Sequence, residues 1–116
     1  MKRMIASLFI LLIFICCQPV QAEEAEQELL KGAFIESMLD HITDAVNEHG
    51  TGRLWYRGNE EIIEIRRPDP HHITSYTVTI RVTTVEGAHN PPYAKETMNF
   101  KLPEMKLLDY RVEWVD

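Results

Sequence analysis

From Tyr76 to Thr83 the side chains alternate without exception: Tyr76, Val78, Ile80 and Val82 fall on one side, Thr77, Thr79, Arg81 and Thr83 on the other. A helix repeats every 3.6 residues and a strand every two, so this run specifies a strand with one dry and one wet face. Its full extent reads as Ile73 to Val85. The same period recurs in Ala94–Leu102, where Met98, Phe100 and Leu102 oppose Lys95, Thr97, Asn99 and Lys101. It recurs again in Met105–Val115, where Leu108, Tyr110, Val112 and Trp114 oppose Asp109, Arg111 and Glu113. Leu54–Tyr56 and Glu60–Arg67 predict an earlier strand, broken near Gly58-Asn59 by a hairpin or a bulge, with Ile63 and Ile65 facing in. Strands with one apolar face belong to an antiparallel sheet covered on one side. The turns at Pro68–His72 and Pro103-Glu104 are short, so neighbours in sequence pair, as in a meander.

The cover comes from the segment before the strands. Over Glu23–His49 the residues Leu30, Phe34, Ile35, Met38, Leu39, Ile42, Ala45 and Val46 gather on one half of a helical wheel. Glu36, Ser37, Asp40, Thr43, Asp44 and Asn47 take the other half, and Gly50 is a natural stop. The expected architecture is therefore α+β: one N-terminal amphipathic helix on a curved antiparallel sheet of about four strands in meander order. Cystatin-like and nuclear-transport-factor-like two-layer domains are built this way, an analogy that carries no function.

Residues 1–22 read as an address rather than as fold. Lys2 and Arg3 precede an apolar run, Met4–Ile15, interrupted only by Ser7, and Val20-Gln21-Ala22 supplies a small-residue cleavage site. The apolar run is shorter than the ~20 residues of a membrane span. Cleavage after Ala22 is expected, giving a secreted or extracytoplasmic protein with no stable membrane span and one domain, residues 23–116; a retained anchor is the alternative. Both cysteines, Cys16 and Cys17, leave with the signal, so the mature domain relies on its core rather than on disulfides.

The loss of Lys2 and Arg3 leaves 10 basic and 18 acidic residues, a net charge of −8. That balance argues against nucleic acid and anionic lipid as partners. The acidity is concentrated in the helix. There Glu36, Asp40, Asp44 and Glu48 follow one another at spacings of four, a solvated face or a docking face for a basic partner.

The chemistry-bearing stretch is Val85–Tyr93, Val-Glu-Gly-Ala-His-Asn-Pro-Pro-Tyr. Its two prolines fix backbone angles and remove two donors, so it predicts a stiff, extended loop between two strands. Glu86, His89, Asn90 and Tyr93 are its polar, exposed side-chain types and the expected binding residues. A catalytic role is less favoured. The mature chain has no Cys, and neither Ser37 nor Ser75 stands in a Gly-x-Ser-x-Gly setting. An acid–base pair would have to come from Glu86 and His89. His71, His72 and His89, with Asp69 nearby, match no zinc spacing, and adjacent histidines in extended chain point apart, so no metal or cofactor is expected.

The string Glu86-Gly-Ala-His-Asn-Pro-Pro-Tyr93, together with the leader, the acidic segment and the helix opening Leu29-Leu30, resembles the DUF3888-type family of small secreted proteins from Bacillus-like spore-forming bacteria. The resemblance covers the whole chain, with Ala94 where the family pattern has Gly after the Tyr. It implies a bacterial exported protein and brings no activity, cofactor or site residue. Two functions remain in view. One is a non-enzymatic binding module whose partner is an exported protein, a cell-wall component or a small molecule held between sheet and helix. The other is a small exported hydrolase using Glu86 and His89.

Overall fold

The computed structural model describes the backbone of residues 2–115 and the side chains of residues 22–115. The signal-peptide expectation rests on side chains that lie outside the described residues. The chain divides into two units, Met1–Ser37 and Met38–Asp116.

The first unit is helical. The helix α1 spans Lys2–His49 and so begins well before the expected Glu23. Within this unit Lys31 Nζ lies 3.8 Å from Glu28 Oε1, and the Ser37 hydroxyl donates to the Phe34 carbonyl at 2.6 Å. Leu30, expected on the buried stripe, is 69% exposed, beside exposed Leu29. Periodicity says which face of a helix can be buried, not how far along the helix a covering layer extends.

The second unit holds the last turns of α1 and a four-stranded antiparallel sheet: β1 (Glu60–Arg66), β2 (Tyr76–Thr84), β3 (Tyr93–Leu102) and β4 (Lys106–Val115). The strand order is β1-β2-β3-β4, an open meander, as the alternation and short turns predict. Met38, Ile42, Ala45 and Val46 of α1 are buried, as are Val78, Ile80 and Val82 of β2 and Ala94, Met98 and Phe100 of β3. These residues make one core between helix and sheet. The opposite sheet face is polar throughout β2 and β3, with cross-strand bonds from Arg81 Nε to Thr97 Oγ1 (3.1 Å) and from Asn99 Nδ2 to Thr79 Oγ1 (2.7 Å).

Two bulges shift the expected phase. In β1, Ile62 sits opposite Ile80 and Glu64 opposite Thr79, which makes Ile63 the extra residue. Ile62 therefore takes the inward place expected for Ile63, and Ile63 is exposed. Ile65 pairs with Val78 and keeps its inward register, yet on this edge strand it is 58% exposed. In β4, Leu107 opposes Phe100 and Asp109 opposes Asn99, so Leu108 is the extra residue and is exposed, and Leu107 faces the core in its stead. Beyond that bulge the expected phase holds: Tyr110, Val112 and Trp114 sit opposite Met98, Glu96 and Ala94.

The helix ends at His49. The N–H groups of Gly50 and Gly52 both reach the Val46 carbonyl, at 3.1 and 3.0 Å, and Gly52 adopts φ +68°. The chain then runs beside the end of β2. Val85 N–H donates to the Leu54 carbonyl (2.8 Å) and Thr83 N–H to the Asn59 carbonyl (2.9 Å), with a turn at Arg57-Gly58 between them. This is the expected break near Gly58-Asn59. Both halves follow the same neighbour, so no hairpin forms there.

Candidate functional site: a cleft beside the proline loop

The segment from Gly50 to Leu54 is anchored from below by a buried carboxylate. Glu96 is on the inner face of β3 between Ala94 and Met98, and none of it is exposed. Its Oε1 accepts the Tyr110 hydroxyl at 2.6 Å and the Thr51 backbone N–H at 2.9 Å, and its Oε2 accepts the Thr51 hydroxyl at 2.8 Å. Three donors on one carboxylate are what a buried acid requires. Thr51 Oγ1 in turn accepts the Arg53 N–H at 3.3 Å. Burial chiefly, then the bond to Glu96 and its charge, push the Tyr110 hydroxyl pKa well above the usual tyrosine range. Gly50 closes the arrangement: a Cβ there would collide with Glu96 Oε1 and the Tyr110 hydroxyl.

Arg53 carries the anchor across to the proline loop. Its Nη2 donates to the Pro92 carbonyl at 2.5 Å and lies 3.8 Å from Glu86 Oε2. Its guanidinium lies over the Trp114 ring, 5.3 Å from the centroid. Nη1 is buried and among the described residues has no hydrogen-bond acceptor, so on that side the ring face is the group that receives the cation.

The loop itself is tighter than the prolines alone suggest. Asn90 N–H donates to the Gly87 carbonyl (2.9 Å) and Glu86 N–H to the Asn90 carbonyl (3.0 Å). The central residues of the Gly87–Asn90 turn, Ala88 and His89, have φ of 45° and 63°. Positive φ at both central positions is the requirement of a type I′ turn, normally met by Asn and Gly. The expectation of a simply extended loop is corrected accordingly. The prolines stiffen its exit, but Gly87–Asn90 is a compact reversal.

The four expected site residues have separate neighbours. Glu86 pairs with Arg53, and the His89 ring packs at a tilt of 35° against Tyr56 with centroids 4.4 Å apart. Asn90 closes the turn through its backbone, and the Tyr93 hydroxyl donates to the His89 carbonyl at 2.9 Å. Among the described residues no bond joins Glu86 to His89. Asp69 accepts the His71 N–H at 2.9 Å and lies 3.7 Å from His72 Nδ1, and among the described residues no group of three His, Cys, Asp or Glu could hold a metal ion.

Between the two segments lies a cleft of about 470 Å³, bounded by Gly52–Leu54, Val85–Gly87, Pro92 and Trp114. This is within the range of small-ligand sites. Trp114 and Leu54 give it apolar walls, 58% and 55% exposed, and Glu86 stands at its rim, 71% exposed. Of these residues only Glu86 was legible as a site residue. Arg53, Leu54 and Trp114 come from parts of the sequence remote from the loop. The buried Glu96 was in principle marked by its place in the alternation, where an acid stands between inward-facing residues.

No curated protein and no solved structure matches this chain. A family model does match residues 30–113, from the later part of α1 to near the end of β4, and by that match the chain belongs to the family described as protein of unknown function (DUF3888).

Proposed function

We propose that this protein is an exported, non-enzymatic binding module whose ligand lies in the cleft between Arg53 and the proline loop. The observation that carries the reading is the pairing of two large exposed apolar side chains, Trp114 and Leu54, with one exposed carboxylate, Glu86, around a concave surface. Isolated exposed apolar residues need no explanation, but a walled group of them beside a fixed charge suits recognition. The complementary ligand is a flat or aliphatic group whose positive charge shares the exposed Glu86 carboxylate with Arg53, as on a basic peptide segment of an exported protein or an amino-bearing cell-wall fragment. The net negative charge of the chain favours the approach of such a cation.

The hydrolase alternative has no observation in its favour. General acid–base catalysis needs its groups within hydrogen-bond reach of a shared substrate. Here the Glu86 carboxylate is turned to Arg53 and the His89 ring to Tyr56.

The test uses tryptophan emission and retention on immobilised peptidoglycan and on a library of basic-aromatic peptides. Binding should weaken at least tenfold in Trp114→Ala and in Glu86→Gln, while His89→Ala has little effect. Retention indifferent to Trp114 and Glu86 would remove the cleft from consideration. The export half of the reading is separate: N-terminal sequencing of protein from culture supernatant should begin at Glu23, and protein confined to membranes would refute it.

A further inference from the structure

The edge of β4 suggests a partner besides the cleft ligand. Among the described residues β4 has β3 on one side and no strand on the other. An unpaired strand edge offers a row of backbone donors and acceptors to another chain, and edges meant to stay single are short, bulged or covered. The other edge, β1, is blunted in this way: its ladder is interrupted at Ile63, and it carries Glu60, Glu61 and Glu64. In β4 the bulge lies near one end, at Leu108, and Asp109–Val115 continues as seven residues in unbroken register with β3.

We infer that this seven-residue edge pairs with the same edge of a second copy of the chain, antiparallel about a two-fold axis through Val112. In such a pair the fully overlapping register is fixed by arithmetic, because the midpoint of Asp109–Val115 is Val112. That register places Arg111 of each copy opposite Glu113 of the other, twice by symmetry. It also places Tyr110 opposite Trp114, and Val112 opposite itself. Arg111 and Glu113 are both exposed on the polar face, and among the described residues neither has an ion-pair partner. Trp114 would gain an aromatic neighbour over a ring now 58% exposed. Shifting the centre by one residue to Arg111 instead sets Arg111 against itself and Asp109 against Glu113, so the charges also select the register.

Charge exchange tests this directly. Sedimentation of the full-length protein at about 50 µM, well above the dissociation constant of an ordinary specific dimer, should give a dimer. Arg111→Glu alone and Glu113→Arg alone should each give monomers, because like charges then face each other at both contacts. The doubly exchanged protein, R111E/E113R, should dimerise again, and an equimolar mixture of the two single variants should form the mixed dimer. Amide exchange of the unmodified protein reads the same edge without substitution: protection should rise with concentration in Asp109–Val115 and not in β1. A monomeric parent, single variants that still dimerise, or a double exchange that stays monomeric with its fold intact would each overturn the inference. Association through the apolar Met4–Ile15 run would ignore these charges and would count against it. The charge exchange reads the edge alone, because neither Arg111 nor Glu113 lines the cleft, and Trp114, which belongs to both surfaces, is unchanged in every variant used.

Discussion

Tyr110 donates its hydroxyl to Glu96 Oε1 at 2.6 Å, a diagonal contact on the inner face of β3 and β4. Through Thr51 the same carboxylate holds the chain that leaves the helix. Removing the donor therefore tests how firmly the sheet grips the helix exit. Tyr110→Phe should cost ~1.5–3 kcal/mol, the usual cost of losing a hydrogen bond to a charged group. Glu96→Gln should cost less than Glu96→Ala. Its amide oxygen can keep both bonds at the Oε1 position, and the Thr51 hydroxyl can turn to accept from the new NH₂. Glu96→Ala instead strands three donors and leaves a cavity. Urea titration of the three variants gives the order, and an alanine variant as stable as the glutamine one would show that the carboxylate is not the anchor.

Alkaline stability follows from the same contact. The folded Tyr110 pKa is raised above its unfolded value of about 10 by burial first and by Glu96 second. Above that unfolded value the unfolded chain releases the phenolic proton while the folded chain keeps it, so stability falls as pH rises. The urea midpoint should be insensitive to this group below pH ~10 and should decline above it. In Tyr110→Phe the decline should be shallower. Equal slopes in the two proteins would contradict the assignment.

Gly50 is required by space rather than by backbone angle. A Cβ at this position meets the Glu96 carboxylate and the Tyr110 hydroxyl, both held in place by their mutual bond. Gly50→Ala should therefore cost more than ~2 kcal/mol, in the range of severe overpacking. Gly52→Ala provides the contrast. Nothing crowds that position, and its cost should be limited to the roughly 1–2 kcal/mol of a positive φ.

The sheet was legible in the sequence because alternation is a direct image of its two faces. Tyr76–Thr83 and Ala94–Leu102 sit as their periods require. What failed was phase near bulges. Ile62-Ile63 and Leu107-Leu108 are pairs of apolar neighbours, so either member fits the inward place and only the backbone register decides between them. The loop was half legible. Its prolines announced stiffness, but a reversal through Ala88 and His89 lacks the Gly or Asn that normally marks positive φ. The cleft was illegible beyond Glu86, since Arg53 and Trp114 meet there only through the fold.

Trp114 shows how a correct face can still mislead about energy. Its register places it on the inner side opposite Ala94, where full burial would make truncation cost ~3–5 kcal/mol. It is instead 58% exposed at the end of the sheet, with Arg53 against its ring. Trp114→Ala should cost about 2 kcal/mol, the sum of partial burial and a modest cation–π contact. Chemical denaturation measures it, and a loss above about 3 kcal/mol would mean that the ring is part of the core after all.

The turn at Ala88-His89 should be improvable at one residue and not at the other. Both hold positive φ without being glycine, a conformation that costs an L-residue roughly 1–2 kcal/mol. Ala88 is exposed and contributes only a methyl group, so Ala88→Gly relieves the strain at the expense of unfolded-state entropy. The balance should favour the variant by up to about 1 kcal/mol, seen as a higher melting temperature. His89→Gly relieves the same strain but removes the ring packed against Tyr56, so its net effect should be near zero or unfavourable. The Tyr93 hydroxyl fastens the turn through the His89 carbonyl rather than through its ring, and Tyr93→Phe should therefore weaken the parent and Ala88→Gly alike, by about 0.5–1.5 kcal/mol. A drop in melting temperature for Ala88→Gly would mean that the positive φ is not maintained in solution, and the compact form of the loop would fall with it.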